Sequence, residues 1–130
     1  AYHDYLFFVD ARVRLTRNWL QPLVECLQDD LNVVVSPQLR LSYADGNGHN
    51  EGLSRNEVTW DLGVSRGAVT DSLLSSIETS RRGCINQTII TTEVFGIRKT
   101  FFTDLGGFDI IPYATGGEHI AFSLKVLNCK

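Results

Sequence analysis

The sequence has no long apolar segment and no concentration of basic residues. Its apolar runs stop well short of the roughly 18 to 20 residues that a membrane-spanning helix needs, and no positively charged leader precedes one of them. With 12 Lys and Arg against 15 Asp and Glu, the net charge is -3. The chain therefore lacks the electrostatic footprint of a nucleic-acid-binding protein. We expect no membrane segment within it, and any signal or anchor to lie outside it.

Cysteine is also scarce. The three cysteines, Cys26, Cys84 and Cys129, are widely spaced and match no zinc-binding spacing such as CxxC. Their odd number predicts a free thiol or a partner outside the chain. The tripeptide Asn86-Gln87-Thr88 is an N-glycosylation sequon, which weakly favours a secretory protein.

The remaining composition is that of a folded domain. Hydrophobic residues make up 43% and charged residues 21% of the 130 positions, which is near the average for soluble globular proteins. No repeat, linker or low-complexity tract interrupts the sequence. Residues 1–130 are therefore predicted to form one domain or part of one.

The first 35 residues predict a strand, a helix and a second strand. The apolar run Tyr5–Val9 and the run Val33–Val35 are typical of buried strands in a largely parallel sheet. Between them, Thr16 is expected to cap a helix that ends near Asp29-Asp30. Its apolar residues recur at helical spacing: Trp19, Leu20, Leu23, Val24 and Leu27.

Further along, residues 43–57 are rich in Gly, Asn, Asp and His and predict a surface loop. Residues 60–67 are ambiguous, and residues 70–79 favour a short helix with Leu73, Leu74 and Ile77 inward. The β-branched residues of 88–92 and 94–97 predict strands.

Two helices are predicted near the end of the chain. The first covers residues 100–105 and is closed by Gly106-Gly107 as a glycine C-cap. The second begins at Glu118. Its buried side is expected to carry Ile120, Phe122, Leu124, Val126 and Leu127.

Two places could carry chemistry. Asp10 stands at the carboxyl end of the first strand, where a carboxylate can hold a metal that neutralises a diphosphate. Arg12 could pair with Asp10 or contact a phosphate. Simpler interpretations are a cap for Asp10 and an exposed salt bridge for Arg12.

The second place is the segment Thr115–Glu118. Its Gly116 and Gly117 would let a ligand approach the backbone closely, while Glu118 could bind hydroxyl groups. The simpler interpretation is a glycine turn, with Glu118 as a favourable acid in the first turn of a helix.

Together these segments resemble the polypeptide N-acetylgalactosaminyltransferases. Residues 7–12 (FFVDAR) and 18–23 (NWLQPL) are similar to the family's FLDSH motif and its WLxPLL helix, and residues 34–37 (VVSP) to its VVCP strand. Residues 94–109 (VFGIRKTFFTDLGGFD) are similar to LFAIDRKYFxxIGxYD. Residues 116–129 (GGEHIAFSLKVLNC) run without gaps along the family's GGENxExSFRxWxC pattern. Between about residues 40 and 87 only Trp60 is similar, to an FDW segment.

The resemblance implies an α/β GT-A fold: a mixed, mostly parallel sheet flanked by helices, of which this chain would be the second half. The uridine-binding half is expected before residue 1, and a last metal-binding His after residue 130. The implied activity is retaining transfer of N-acetylgalactosamine from UDP-GalNAc to Ser or Thr of polypeptides, as in mucin-type O-glycosylation, with Mn²⁺ and in the Golgi lumen.

Residue by residue, Asp10 matches the family's Asp that binds the metal and the diphosphate. Gly116, Gly117 and Glu118 match the part that holds the donor sugar. Arg12 stands where the family has a His ligand, and a guanidinium cannot coordinate a metal, which puts Mn²⁺ binding in question.

Other matched site positions also differ. Residues 91–93 (TTE) replace Ala-Gly-Gly, and Glu93 would repel an anionic donor. Thr115 replaces a Trp. Two functions therefore stand side by side: a UDP-sugar transferase, and a non-catalytic domain that keeps the scaffold for binding or assembly.

Overall fold

The structure is a computed structural model that describes residues 3–39, 54–61, 63–72, 75, 87, 89–91, 93–109 and 117–129. The chain divides into two compact units. Unit 1 consists of Ala1–Pro37 with Thr88–Lys130, and unit 2 is Gln38–Gln87. The prediction of a single domain over residues 1–130 stays a prediction.

Unit 1 is built from three strands and three helices among the described residues. The strands are β1 (Tyr5–Val9), β2 (Val34–Val35) and, after the two strands of unit 2, β5 (Val94–Arg98). The helices are α1 (Leu20–Asp29), α2 (Lys99–Asp104) and α3 (Glu118–Asn128). These bounds confirm the predicted strand 5–9 and the predicted end of the first helix at Asp29.

The sheet of unit 1 has the order β1-β5-β2, and both of its pairings are antiparallel. The expected largely parallel sheet is therefore wrong for these strands. β1 and β2 do run in the same direction, but β5 lies between them. A continuous apolar run indicates that both faces of a strand are covered and carries no information about the direction of its neighbour.

Both faces of β1 are covered, which explains its uninterrupted apolar sequence. Because side chains alternate along a strand, Tyr5 and Phe7 pack with α1 around Leu23 and Leu27. Leu6 and Phe8 face the other way, against a cluster formed by β5, α2 and α3. Its buried members are Phe95, Ile97, Phe101, Phe122 and Val126.

The glycine C-cap predicted for α2 is present. Gly106 and Gly107 both have positive φ, at 76° and 66°. The Gly107 N–H donates to the Phe102 carbonyl at 3.0 Å, and the Gly106 N–H donates to the Thr103 carbonyl at 2.9 Å. This is the Schellman arrangement, which satisfies carbonyls that the helix itself leaves unpaired.

Unit 2 contains a hairpin of β3 (Ser54–Val58) and β4 (Val64–Ala68), paired antiparallel. The loop predicted for residues 43–57 is therefore wrong at its end, and residues 43–53 lie outside the described residues. Strand β3 shows no apolar alternation, so only its pairing with β4 reveals it. The 59–63 turn is closed by the Thr59 N–H, which donates to the Gly63 carbonyl at 2.8 Å.

Two further expectations about helices need correction, and a third falls mostly outside the described residues. Helix α1 begins at Leu20 after Trp19, without a side-chain cap, and Asn18 before it takes a left-handed φ of 63°. Thr16 therefore caps nothing. On α3, Leu124 and Leu127 are exposed, while Phe122, Ser123 and Val126 are buried. Of the helix predicted at 70–79, the apolar Leu73, Leu74 and Ile77 lie outside the described residues.

The strand predicted for residues 88–92 is also wrong where the structure describes it. Ile89 and Thr91 are buried but belong to no strand, and Thr88 and Thr92 lie outside the described residues. Here hydrogen bonds that involve side chains take the place of main-chain bonds to a neighbouring strand. The Ile90 N–H donates to Ser123 Oγ at 3.0 Å, and Thr91 Oγ1 donates to the Val94 carbonyl at 2.7 Å.

Ser123 is expected to contribute measurably to stability. Its Oγ accepts from the Ile90 N–H and donates to the His119 carbonyl at 2.6 Å, and the side chain is buried. Ser123→Ala would leave the Ile90 N–H without its acceptor, and we expect the free energy of unfolding to fall by about 1–3 kcal/mol. Urea denaturation measures this loss.

Thr103→Ala is the matched control for that measurement. Thr103 makes the same bond to the carbonyl four residues earlier, that of Lys99 at 2.9 Å, but on an exposed surface of α2. Its removal is expected to change stability by less than about 0.5 kcal/mol. Equal losses in the two variants would contradict a special role for Ser123.

No helix among the described residues is long and apolar enough to cross a membrane.

Candidate functional site

Asp10 lies directly after the last residue of β1, at the end of the sheet where β5 begins. Its N–H donates to the Glu93 carbonyl at 2.8 Å, which continues the ladder beyond the Val9–Val94 pair. Its carbonyl accepts from the Val13 N–H at 3.0 Å, so the chain turns here. The main chain of Asp10 is thus held on both sides.

The Asp10 carboxylate is engaged by Arg12 through both of its oxygens. Arg12 Nε donates to Oδ1 and Nη2 donates to Oδ2, each at 3.0 Å. The backbone N–H of Arg12 also donates to Oδ1, at 2.8 Å. This is the two-pronged geometry in which a guanidinium binds a carboxylate most specifically.

These bonds hold the Asp10 carboxylate in its charged form. The Arg12 side-chain hydrogen bonds, then its backbone N–H, lower the pKa of Asp10 from its ordinary 3.8 to about 2. In turn, the hydrogen bonds and charge of Asp10, followed by the charge of Glu93, raise the pKa of Arg12. The Arg12 guanidinium is therefore attracted electrostatically to two neighbouring carboxylates.

The low pKa of Asp10 predicts an acid-sensitive ion pair. Because the folded-state pKa lies below the ordinary value, the pair stabilises the fold above about pH 3.8 and loses this contribution as the pH falls towards 2. Carbon-detected NMR titration of the carboxyl is expected to give a pKa of about 2, and Arg12→Gln should move it up towards 3.8. An unchanged titration in Arg12→Gln would contradict this assignment of cause.

The other predicted site residues lie at the start of α3. Gly117 is the N-cap with a φ of 90°, which an L side chain rarely adopts, and Glu118 is the first helical residue. The Gly117 carbonyl accepts from the Ala121 N–H at 2.9 Å. Gly116 and Thr115 lie outside the described residues.

Asp10 and α3 are attached to the same short segment before β5. Asp10 is bonded to the main chain of Glu93, and α3 is bonded through Ser123 to the main chain of Ile90. Within the described parts of the chain, no hydrogen bond or ion pair joins Asp10 or Arg12 to Glu118. The site therefore has two parts that share an anchor in the segment before β5.

Sequence reasoning did not identify Ser123 as the residue that attaches α3 to this segment. Its position in an apolar stretch of an otherwise regular helix was the available signal, since a lone polar residue on a buried face needs a partner.

The arrangement at Asp10 does not fit a divalent cation. Hard cations such as Mn²⁺ take oxygen ligands with accessible lone pairs, and both Asp10 oxygens already accept from a guanidinium. In the described ranges, no group of three or more His, Cys, Asp or Glu residues could hold a metal ion.

Comparison with known proteins identifies the relatives of this chain. It is 27% identical over 132 residues to the inactive polypeptide N-acetylgalactosaminyltransferase-like protein 5 of Mus musculus, covering 97% of the chain and 29% of that protein. It is 30% identical over 130 residues to polypeptide N-acetylgalactosaminyltransferase 14 of Homo sapiens, covering 95% and 23%. Over nearly its whole length, this chain is similar to the polypeptide N-acetylgalactosaminyltransferases. No family model matches it.

The fold agrees with that relationship. The crystal structure of GalNAc-T7 with UDP, GalNAc and Mn²⁺ superposes with a TM-score of 0.78 over 97% of this chain and 24% of that protein, at 21% identity. The predicted GT-A fold class is thereby confirmed, and the chain is a glycosyltransferase-like domain. It spans less than a third of the length of each of these relatives.

Proposed function

We propose that this chain forms the donor-sugar part of a glycosyltransferase that moves N-acetylgalactosamine from UDP-GalNAc to Ser or Thr hydroxyls of polypeptides. The observation that carries the proposal is the shared anchor of the two site parts, Asp10 after β1 and Glu118 at the start of α3. The names of the relatives support the same chemistry, since the human relative is called a polypeptide N-acetylgalactosaminyltransferase.

In this proposal the start of α3 binds the sugar. A carboxylate at a helix N-terminus is favoured by the helix dipole, and the Glu118 oxygens can accept hydrogen bonds from sugar hydroxyls. A Cβ at Gly117 would meet no described atom within 4 Å, so there is open space beside the backbone. A pyranose ring could approach the main chain there.

In the same proposal the end of β1 binds the diphosphate. Asp10 fixes the orientation of the Arg12 guanidinium, and the Arg12 side chain is 88% exposed. Its remaining N–H groups can donate to phosphate oxygens, for which a guanidinium is well suited. A positive charge placed there favours departure of UDP, because negative charge develops on the leaving oxygen. Transfer with retention follows from the resemblance to the family.

A transfer assay tests this function. The full-length protein that contains this chain is incubated with UDP-GalNAc and a Ser/Thr peptide, and the glycopeptide is measured by mass spectrometry. Glu118→Gln is expected to lower kcat/KM by about 10- to 100-fold, since a hydrogen bond to a charged group contributes about 1.5–3 kcal/mol. Asp104→Asn, an exposed acid-to-amide change at the end of α2, is the matched control. Equal rates for Glu118→Gln and the unaltered chain would contradict the proposal.

A second candidate is a non-catalytic domain that acts in binding or assembly. The occupied carboxylate of Asp10 favours it, and so does the half-buried Glu93 beside the same site. One relative is itself named as inactive. UDP binding without any transfer to peptide would support this candidate over the enzyme.

We also propose that the protein works in the Golgi lumen or elsewhere in the secretory pathway. Cys26 is disulfide-bonded, and disulfides persist in oxidising compartments. Cys129 is a free, exposed thiol. If an endoglycosidase lowers the mass of the protein, and Asn86→Gln abolishes this change, the sequon is used. A protein that carries no N-glycan at Asn86 would contradict this location.

A further inference from the structure

The bidentate contact between Asp10 and Arg12 decides what the end of β1 can bind. Asp10 Oδ1 already accepts two N–H groups of Arg12 and Oδ2 accepts one, so a divalent metal is left with only the remaining lone pair of Oδ2. It would also have to sit next to a full positive charge. Two cations sharing one carboxylate repel each other strongly at such distances.

Arg12 cannot release the Asp10 carboxylate to a metal by losing its proton. A guanidinium stays charged in proteins and offers donors only, so it is never a metal ligand. The two neighbouring acids, Asp10 and Glu93, stabilise the charged form further.

The backbone contributes one of the three hydrogen bonds of this contact. Arg12 lies two residues after Asp10 in the same turn, and its own N–H donates to Asp10 Oδ1. The main chain of Asp10 is held by the Glu93 carbonyl and the Val13 N–H. A metal could therefore use both oxygens only after Oδ1 has given up one of its two hydrogen bonds from Arg12.

We propose that Arg12 is a built-in replacement for the divalent cation of this fold family: it occupies the Asp10 carboxylate, excludes Mn²⁺ from it, and supplies the positive charge of the site. Its consequence for the donor rests on the proposed function, whereas the exclusion of Mn²⁺ does not. The same geometry implies that one substitution, Arg12→His, exchanges the fixed charge for a potential nitrogen ligand beside a freed carboxylate.

Titration with Mn²⁺ alone tests the exclusion. The full chain, Arg12→His, Arg17→His and the double variant Arg12→His with Asp10→Asn are each titrated, with bound Mn²⁺ measured by electron paramagnetic resonance. We expect Arg12→His to bind Mn²⁺ at least about tenfold more tightly than the unaltered chain, and the double variant to lose this gain. Arg17→His places a histidine in the same exposed loop away from Asp10 and should show no gain.

The Arg12 side chain is 88% exposed, so these variants leave the core unchanged, and near-UV circular dichroism checks that they fold. Saturable Mn²⁺ binding by the unaltered chain that disappears in Asp10→Asn would overturn the proposal. A folded Arg12→His chain that gains no Mn²⁺ affinity would overturn it as well.

Binding of UDP separates this proposal from the proposed function. If the full-length protein binds UDP equally well in EDTA and in Mn²⁺, and Arg12→Gln weakens that binding at least about tenfold, the replacement of the metal by Arg12 is supported. Binding that requires Mn²⁺ would overturn the replacement and leave the donor function standing. If UDP binds in neither condition, the donor function is contradicted, and so is the proposed contribution of the Arg12 charge to it. The Mn²⁺ titration then still decides whether Arg12 excludes Mn²⁺ from Asp10.

Discussion

Replacing Phe122 with alanine is expected to lower the free energy of unfolding by about 3–5 kcal/mol, the range for truncating a buried phenylalanine. The Phe122 side chain is 1% exposed. Its ring packs against Phe95, Phe102 and Phe108, with ring centroids 6.4, 5.5 and 4.9 Å away. Alanine would leave a cavity between α3, α2 and β5, because Phe102 and Phe95 are held in α2 and β5. Urea denaturation followed by circular dichroism measures the loss.

Leu124→Ala is the matched control on the same helix. Leu124 is 50% exposed, so the same kind of truncation removes little buried surface. We expect a change below about 1 kcal/mol, from partial burial alone. A loss at Leu124 as large as that at Phe122 would mean that this side of α3 is covered in the intact protein.

The loss at Phe122 bears on the site as well as on the core. Phe122 lies one helical turn after Glu118, so it fixes the part of α3 that carries the proposed sugar-binding carboxylate. A folded Phe122→Leu variant should therefore retain most of the stability. It should raise the KM for UDP-GalNAc more than a substitution in unit 2 that lowers the free energy of unfolding by the same amount.

Gly96→Ala is expected to destabilise unit 1 by about 1–3 kcal/mol through overpacking. Gly96 is opposite Phe7 in the β1–β5 register, and the Phe7 ring lies across the glycine. A Cβ at Gly96 would overlap the Phe7 ring atoms Cε1, Cδ1 and Cζ. The ring cannot move freely, since it packs edge-on against Trp19 with centroids 5.7 Å apart.

Combining Gly96→Ala with Phe7→Leu tests that explanation. A leucine at position 7 removes the ring that would overlap, so the double variant should lose at least about 0.5 kcal/mol less than the sum of the two single changes. Strict additivity would mean that the overlap with Phe7 is not the cause. The effect matters for function because β1 ends at Asp10, and a displaced β1 would move the carboxylate together with Arg12.

Much of unit 1 could be predicted because its signals are local. The apolar run of β1, the helical spacing of α1 and the paired glycines after α2 each depend on residues adjacent in the chain. Helix α3 was predicted from Glu118 onward, but its buried side was assigned too widely. Leu124 and Leu127 are apolar and lie on the exposed side, which apolar spacing alone does not distinguish.

The remaining errors have one physical origin, which is pairing between distant segments. Strand β5 lies between β1 and β2 although nearly 60 residues of chain separate it from β2 in the sequence. The polar strand β3 exists only because β4 pairs with it. Residues 89–91 look like a strand, yet their hydrogen bonds go to Ser123 and to the start of β5.

For the site, the sequence by itself determined which residues are present: an acid at the end of a buried strand, an arginine two positions later, and a glycine and an acid at a helix start. It also carries the similarity to the polypeptide N-acetylgalactosaminyltransferases, because the order and spacing of these motifs are properties of the chain. Only the tertiary structure decided how they are arranged. The turn after β1 closes Arg12 onto both oxygens of Asp10, and Ser123 attaches α3 to the segment beside it. Side-chain geometry of this kind depends on the folded backbone, so a carboxylate that the motif identified as a metal ligand proved to be one already occupied by a guanidinium.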